Sequence, residues 1–114
     1  MSLRAPIAVT VEVRAAGRRV FRLAENLGED GLALERPAPF DIGRPVEIFF
    51  ALPDDAEGLR LPARVEIRDG DGDEADAHRD GGGRALTFLA VGEDDRQRLR
   101  GYVKERLGLP EAPG

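Results

Sequence analysis

An all-β domain with one C-terminal helix, about six short antiparallel strands closed into a small barrel with the helix packed on it, is the fold this sequence predicts. Three observations carry that prediction. Apolar residues alternate with polar ones in several short runs, residues suited to tight turns separate the runs, and one helical stripe appears at the end of the chain. At 114 residues the chain has room for one core of this size.

The first strand begins at Ile7, where Ile7, Val9, Val11 and Val13 alternate with Ala8, Thr10, Glu12 and Arg14. Ala15 to Arg18 reads as a turn, and Arg19 to Ala24, with Val20, Phe21 and Leu23, as the second strand of a hairpin. Arg22 shares a face with Val20, and Phe21 shares the other with Leu23, so the arginine is free to stay unburied. Glu25 to Gly31 reads as a turn leading into a short strand at Leu32 to Glu35, and Pro37, Pro39 and Gly43 then interrupt regular structure. Val46, Ile48, Phe50 and Leu52 alternate again. Beyond a loop at Pro53 to Gly58 so do Leu59, Leu61, Ala63, Val65 and Ile67. Residues 69 to 83 hold only two alanines as apolar members and read as a mobile, solvated acidic loop. Arg84 to Val91 returns to strand chemistry. Glu93, Asp94 and Asp95 then supply the negative charge that a helix start favours, and Leu99, Tyr102, Val103 and Leu107 form one apolar stripe ending at Gly108. The organisation predicted is an N-terminal segment 1–6, a barrel with its helix over 7–107, and a tail 108–114.

Composition narrows the function. Seventeen basic against 22 acidic residues give a net charge of −5, which disfavours DNA or RNA as the main partner. No apolar run is long enough to cross a membrane and no signal peptide is evident, so the reading is a soluble, cytoplasmic chain without membrane insertion. The chain has no cysteine and a single histidine, His78, so thiol chemistry and most metal sites fall away. The acids from Asp69 to Asp80 partly fit a calcium loop. However, Glu74 stands where that loop needs glycine and no amphipathic helices flank it, so a solvated loop is the better reading. Nothing in the sequence forms a nucleophile elbow, a phosphate loop or a supported carboxylate pair, and a non-enzymatic protein without cofactor or metal is expected.

The stretch Asn26-Leu27-Gly28-Glu29-Asp30-Gly31-Leu32 is similar to the Asp/Asn-x-Ser-x-x-Gly turn of the PilZ family, a bacterial receptor module for cyclic di-GMP. Phe88-Leu89 and the segment Glu93 to Val103 resemble that family's last strand and C-terminal helix, in the right order. The resemblance runs from about Arg4 to Val103. It implies a six-stranded barrel with the nucleotide held outside the sheet by the turn and by an Arg-x-x-x-Arg pair ahead of the first strand. The candidate nucleotide-binding residues are therefore Arg4, Asn26, Gly28 and Gly31.

An arginine fork suits this ligand because it can donate two bonds to a guanine edge or a phosphate and can stack on the base. Two departures are visible. Gly28 occupies the serine position, and Arg4 occupies the place of the second arginine, whose partner would fall before Met1. Arg14, Arg18 and Arg22 also show the four-residue spacing, but after the first strand, where a solvated face is the simpler reading. The expectation is a degenerate PilZ-like regulatory or adaptor protein in bacterial signalling, concerned with motility or surface behaviour. It would contact another signalling protein and bind cyclic di-GMP weakly or not at all. The alternative is a working cyclic di-GMP receptor that uses Arg4, Asn26 and Gly31.

Overall fold

The structure is a computed structural model that describes residues 3–53, 55, 57–67 and 83–108. His78 and, Gly83 excepted, the expected acidic loop lie outside the described residues, as does 109–114. Six strands, β1 (Ala5–Ala15), β2 (Arg18–Leu27), β3 (Gly31–Leu34), β4 (Pro45–Ala51), β5 (Gly58–Glu66) and β6 (Ala85–Phe88), precede one helix, α1 (Glu93–Leu107). All pairings are antiparallel, and the order β1-β2-β3-β6-β5-β4 closes into a barrel through β4 against β1.

Alternation drives this closure. Val11, Val13, Ile48, Phe50, Leu59, Leu61, Val65 and Leu86 are each at most 2% exposed and fill the interior, while their neighbours along each strand face out. Phe88 joins them at 8% exposure, with its ring 6.4 Å from that of Phe50 in a stacked arrangement. The β1–β2 turn runs through Ala16 and Gly17, both at positive φ, as a tight hairpin between twisted strands requires. Helix α1 closes one end of the barrel with Leu99 and Val103, and the Tyr102 hydroxyl donates to the Pro6 carbonyl at 2.9 Å. Its first turn carries Glu93, Asp94 and Asp95, and Gly108 ends it in the left-handed conformation at φ 71°.

Four local readings differ from the structure. β1 starts at Ala5 and β2 runs on to Leu27, because Asn26 pairs with Pro6 on one side and Ala33 on the other, so the expected turn shrinks to residues 28–30. Bulges near Pro6 and Ala24 absorb the mismatch. On β2 the two-face division stands, but Phe21 and Leu23 point outward, since Val20 and Arg22 lie opposite the buried Val13 and Val11. Arg22 is consequently half-buried. Its Nε donates to the Pro37 carbonyl at 2.9 Å and its Nη1 to the Phe21 carbonyl at 2.8 Å. Leu107 is 38% exposed and leaves the helix stripe, because only the turns around Leu99 and Val103 lie over the barrel.

Candidate functional site

One row of residues crosses four neighbouring strands on the outside of the barrel. Asn26 of β2 lies opposite Ala33 of β3, Ala33 opposite Ala85 of β6, and Ala85 opposite Glu66 of β5. Two alanines in the middle leave a flat floor, and the longer polar side chains at either end make walls. The result is an open cavity of about 330 Å³, to which Arg4, Ile67 and Thr87 also contribute. Such a shallow, small-residue floor can accept a flat ligand, and the sheet register alone creates it.

Arg4 and Asn26, both candidates from the sequence, are brought together here. The Arg4 Nη1 donates to Asn26 Oδ1 at 3.1 Å, and its Nη2 lies 3.8 Å from Asp30 Oδ1. The arginine that would meet a ligand is thus already bonded within the chain. Gly28 is buried at the head of the turn, where its N–H donates to the Gly31 carbonyl at 2.8 Å.

Gly31 has a structural reason to be glycine. A Cβ at this position would lie closer than 3 Å to the Leu86 carbonyl oxygen and 3.3 Å from the Thr87 Cα. Strand β6 therefore passes too near for any side chain, whatever the cavity binds. Beside this contact the Asp30 carbonyl accepts from the Phe88 N–H at 2.8 Å, tying the turn to the last strand. Helix α1 is fastened to the same turn, since Arg100 Nε donates to Glu29 Oε1 at 3.1 Å.

The opposite wall is a carboxylate. Glu66 accepts a short hydrogen bond from the Thr87 hydroxyl, and Arg64 Nη2 donates to Glu66 Oε1 at 2.8 Å. The Thr87 bond holds the Glu66 carboxyl below the usual carboxylate range; partial burial opposes this, and Arg64 adds to it. Glu66 is thus a fixed negative charge facing Arg4 across the alanine floor. Among the described residues Arg4 and Glu66 line the cavity with opposite charges, each paired in turn, Arg4 near Asp30 and Glu66 with Arg64, so these four carry no net positive charge toward an anionic ligand.

The other arginines with four-residue spacing lie elsewhere. Arg18 sits over the Phe40 ring at 5.7 Å, at the far end of β2 from Asn26, about 26 Å away along an extended strand. Arg14 pairs with Glu12 at 3.7 Å on the hairpin. Sequence reasoning missed Glu66, Thr87 and the two alanines of the floor. Alternation on β5 already set Glu66 outward, but nothing in a single sequence shows which outward residues share a row. Among the described residues no group of three or more metal-ligating side chains occurs, and no helix is long and apolar enough to cross a membrane.

Comparison with known proteins agrees with this geometry. The structure of the Bacillus subtilis inhibitor of motility (MotI/DgrA) superposes with a TM-score of 0.72 at 17% identity, covering 93% of this chain and 49% of that one. This chain therefore spans about half the length of that protein. The crystal structure of the PilZ domain of CeSA from a cellulose-synthesizing bacterium superposes with a TM-score of 0.56 at 24% identity, covering 92% and 95% of the two chains. A search of curated protein sequences finds no match. The family model of the PilZ domain matches residues 2–105, and with the closed six-stranded barrel, its C-terminal helix and the Asn26–Gly31 turn in place, the chain belongs to the PilZ domain family.

Proposed function

We propose that this chain is a non-enzymatic regulatory module of bacterial signalling that acts through protein contacts and holds cyclic di-GMP weakly or not at all. Domains of its family take cyclic di-GMP as a ligand, not as a cofactor. The observation that carries the reading is the state of Arg4: it is bonded to Asn26 and near Asp30, and it faces the Glu66 carboxylate. A dianionic nucleotide must break those contacts, and among the described residues it gains no net positive field in return. The turn also lacks the hydroxyl of the family pattern, because Gly28 stands at the serine position. At about 0.5–1.5 kcal/mol, its loss lowers affinity by roughly two- to tenfold. That one fold neighbour is an inhibitor of motility supports motility as the process regulated. The cytoplasm is the compartment this reading implies.

A second reading, a working receptor that uses Arg4, Asn26 and Gly31, is favoured by one observation: Arg4 and Asn26 meet at 3.1 Å on a single cavity. Amide NMR separates the two. Under the first reading the resonances of Asn26, Gly31 and Thr87 stay in place as cyclic di-GMP is added to about 100 μM, a free-energy limit near −5.5 kcal/mol. Saturable displacement of those three resonances establishes the second.

A further inference from the structure

We propose that the outer face of the β1–β2 hairpin, together with Phe49 of β4, is the docking surface for an acidic, apolar segment of a partner protein. This rests on the regulatory reading above and gives it a surface and a partner chemistry. The face is a second cross-strand row, Arg60–Phe49–Glu12–Phe21, running over β5, β4, β1 and β2. Phe21, Leu23 and Phe49 are 52%, 41% and 40% exposed, three large apolar side chains turned away from the core. Arg19 lies over the Phe21 ring and Arg60 over the Phe49 ring, each at 5.7 Å. Each guanidinium is thus held near its ring, with hydrogen-bond donors at the rim of the apolar surface.

Charge selects the partner. Between Glu12 and Glu25 the sequence has four arginines and no acid, in a chain of net charge −5. Glu12 is covered, its side chain 18% exposed and 3.7 Å from both Arg14 and Arg19. Thr10, Phe21 and Leu23 border a cleft of about 270 Å³ with Arg22, Glu35 and Arg36. Among the described residues the Arg22 Nε and Nη1 meet main-chain carbonyls, and partial burial first and the Arg36 charge second act against its charged form. A carboxylate entering this cleft relieves that repulsion, while an apolar neighbour covers Phe21 and Leu23. The closed barrel offers no free strand edge among the described residues, so recognition runs through side chains and not through an added strand. Nucleic acid fits less well, because arginines of this chain already lie over both rings and the whole chain repels a polyanion. A second copy fits less well too, since a two-fold pairing of this face sets its arginines against one another.

The test maps binding by amide NMR on the full chain. The probes are a short synthetic peptide alternating Glu with Leu, the same peptide with Lys for Glu, and a short oligouridylate. The Glu–Leu peptide is expected to shift Thr10–Glu12, Phe21–Leu23 and Phe49 saturably. Binding weakens about tenfold in the doubly substituted Phe21→Ser, Phe49→Ser chain, whose fold is checked by unshifted resonances of the barrel interior, and similarly in Arg19→Glu. The proposal is overturned if no shifts occur, if they map elsewhere, or if the Lys peptide binds equally well. It is also overturned if the oligouridylate binds this face more tightly, or if the chain self-associates through Phe21 and Phe49. Micromolar cyclic di-GMP binding overturns the adaptor reading by itself and leaves the peptide result to stand on its own map.

Discussion

Replacing Gly31 by alanine separates two explanations of the turn: a glycine kept for a ligand, and a glycine forced by strand packing. The new Cβ would press within 3 Å of the Leu86 carbonyl oxygen, a backbone atom that cannot swing aside. Reaching ordinary contact at 3.4 Å requires β3 and β6 to separate locally, and their ladder holds only the pairs Gly31–Thr87, Leu32–Leu86 and Ala33–Ala85. Overpacking of this kind costs about 1–3 kcal/mol, and loosening one or two hydrogen bonds, including that between Phe88 N–H and the Asp30 carbonyl at 2.8 Å, adds about 0.5–1.5 kcal/mol each. The sum is about 1.5–6 kcal/mol. At roughly 4 °C per kcal/mol for a domain of this size, the melting temperature of the ligand-free chain should fall by about 6–24 °C. Thermal unfolding followed by circular dichroism reads this directly. A fall of less than about 2 °C refutes the packing argument and returns Gly31 to the ligand.

Phe88→Ala should cost about 3–5 kcal/mol, since the ring is 8% exposed and stacks on Phe50; an unchanged melting temperature removes it from the core. Asp55 and Glu66 both titrate below the usual carboxylate range, Asp55 first through its hydrogen bond from Arg98 and Glu66 first through that from Thr87. Unfolding therefore takes up protons, so stability should hold from neutral pH to about 4.5 and decline below it. Denaturant melts across that range check the sign, and Glu66→Gln should flatten the decline. Arg98 Nε donates to Asp55 Oδ2 at 2.7 Å and Nη1 to Asp95 Oδ1 at 3.1 Å, and Nη2 makes a short bond to the Glu57 carbonyl. Arg98→Ala should loosen the helix from the β4–β5 connection, seen as a few-fold faster amide hydrogen exchange at Leu99 and Val103.

Strand positions were legible wherever alternation was long. Ile7 to Val13, Val46 to Phe50 and Leu59 to Val65 each repeat the two-residue period over at least five residues, and the acids at 93–95 with Gly108 bracket the helix. The outward turn of Phe21 and Leu23 was not legible. β2 alternates equally well in either phase, and only its pairing with Val11 and Val13 decides which side is inside. Asn26 looked like a turn residue because its local propensity is for turns, while its place in β2 comes from partners twenty residues back and seven ahead. In the candidate site Arg4, Asn26 and Gly31 could be singled out through the resemblance. Glu66 could not, because its position opposite Asn26 depends on the register of four strands at once.

Whether a cavity with one engaged arginine and one facing carboxylate can hold a dianionic nucleotide decides between adaptor and receptor. Calorimetric titration of the purified chain with cyclic di-GMP at modest ionic strength measures this. No saturable heat is expected up to about 100 μM ligand, with affinity gained when Gly28→Ser is combined with an arginine placed four residues ahead of Arg4. Saturable micromolar binding by the unaltered chain would contradict the account, since Arg4 would then leave Asn26 and Asp30 for the ligand despite Glu66.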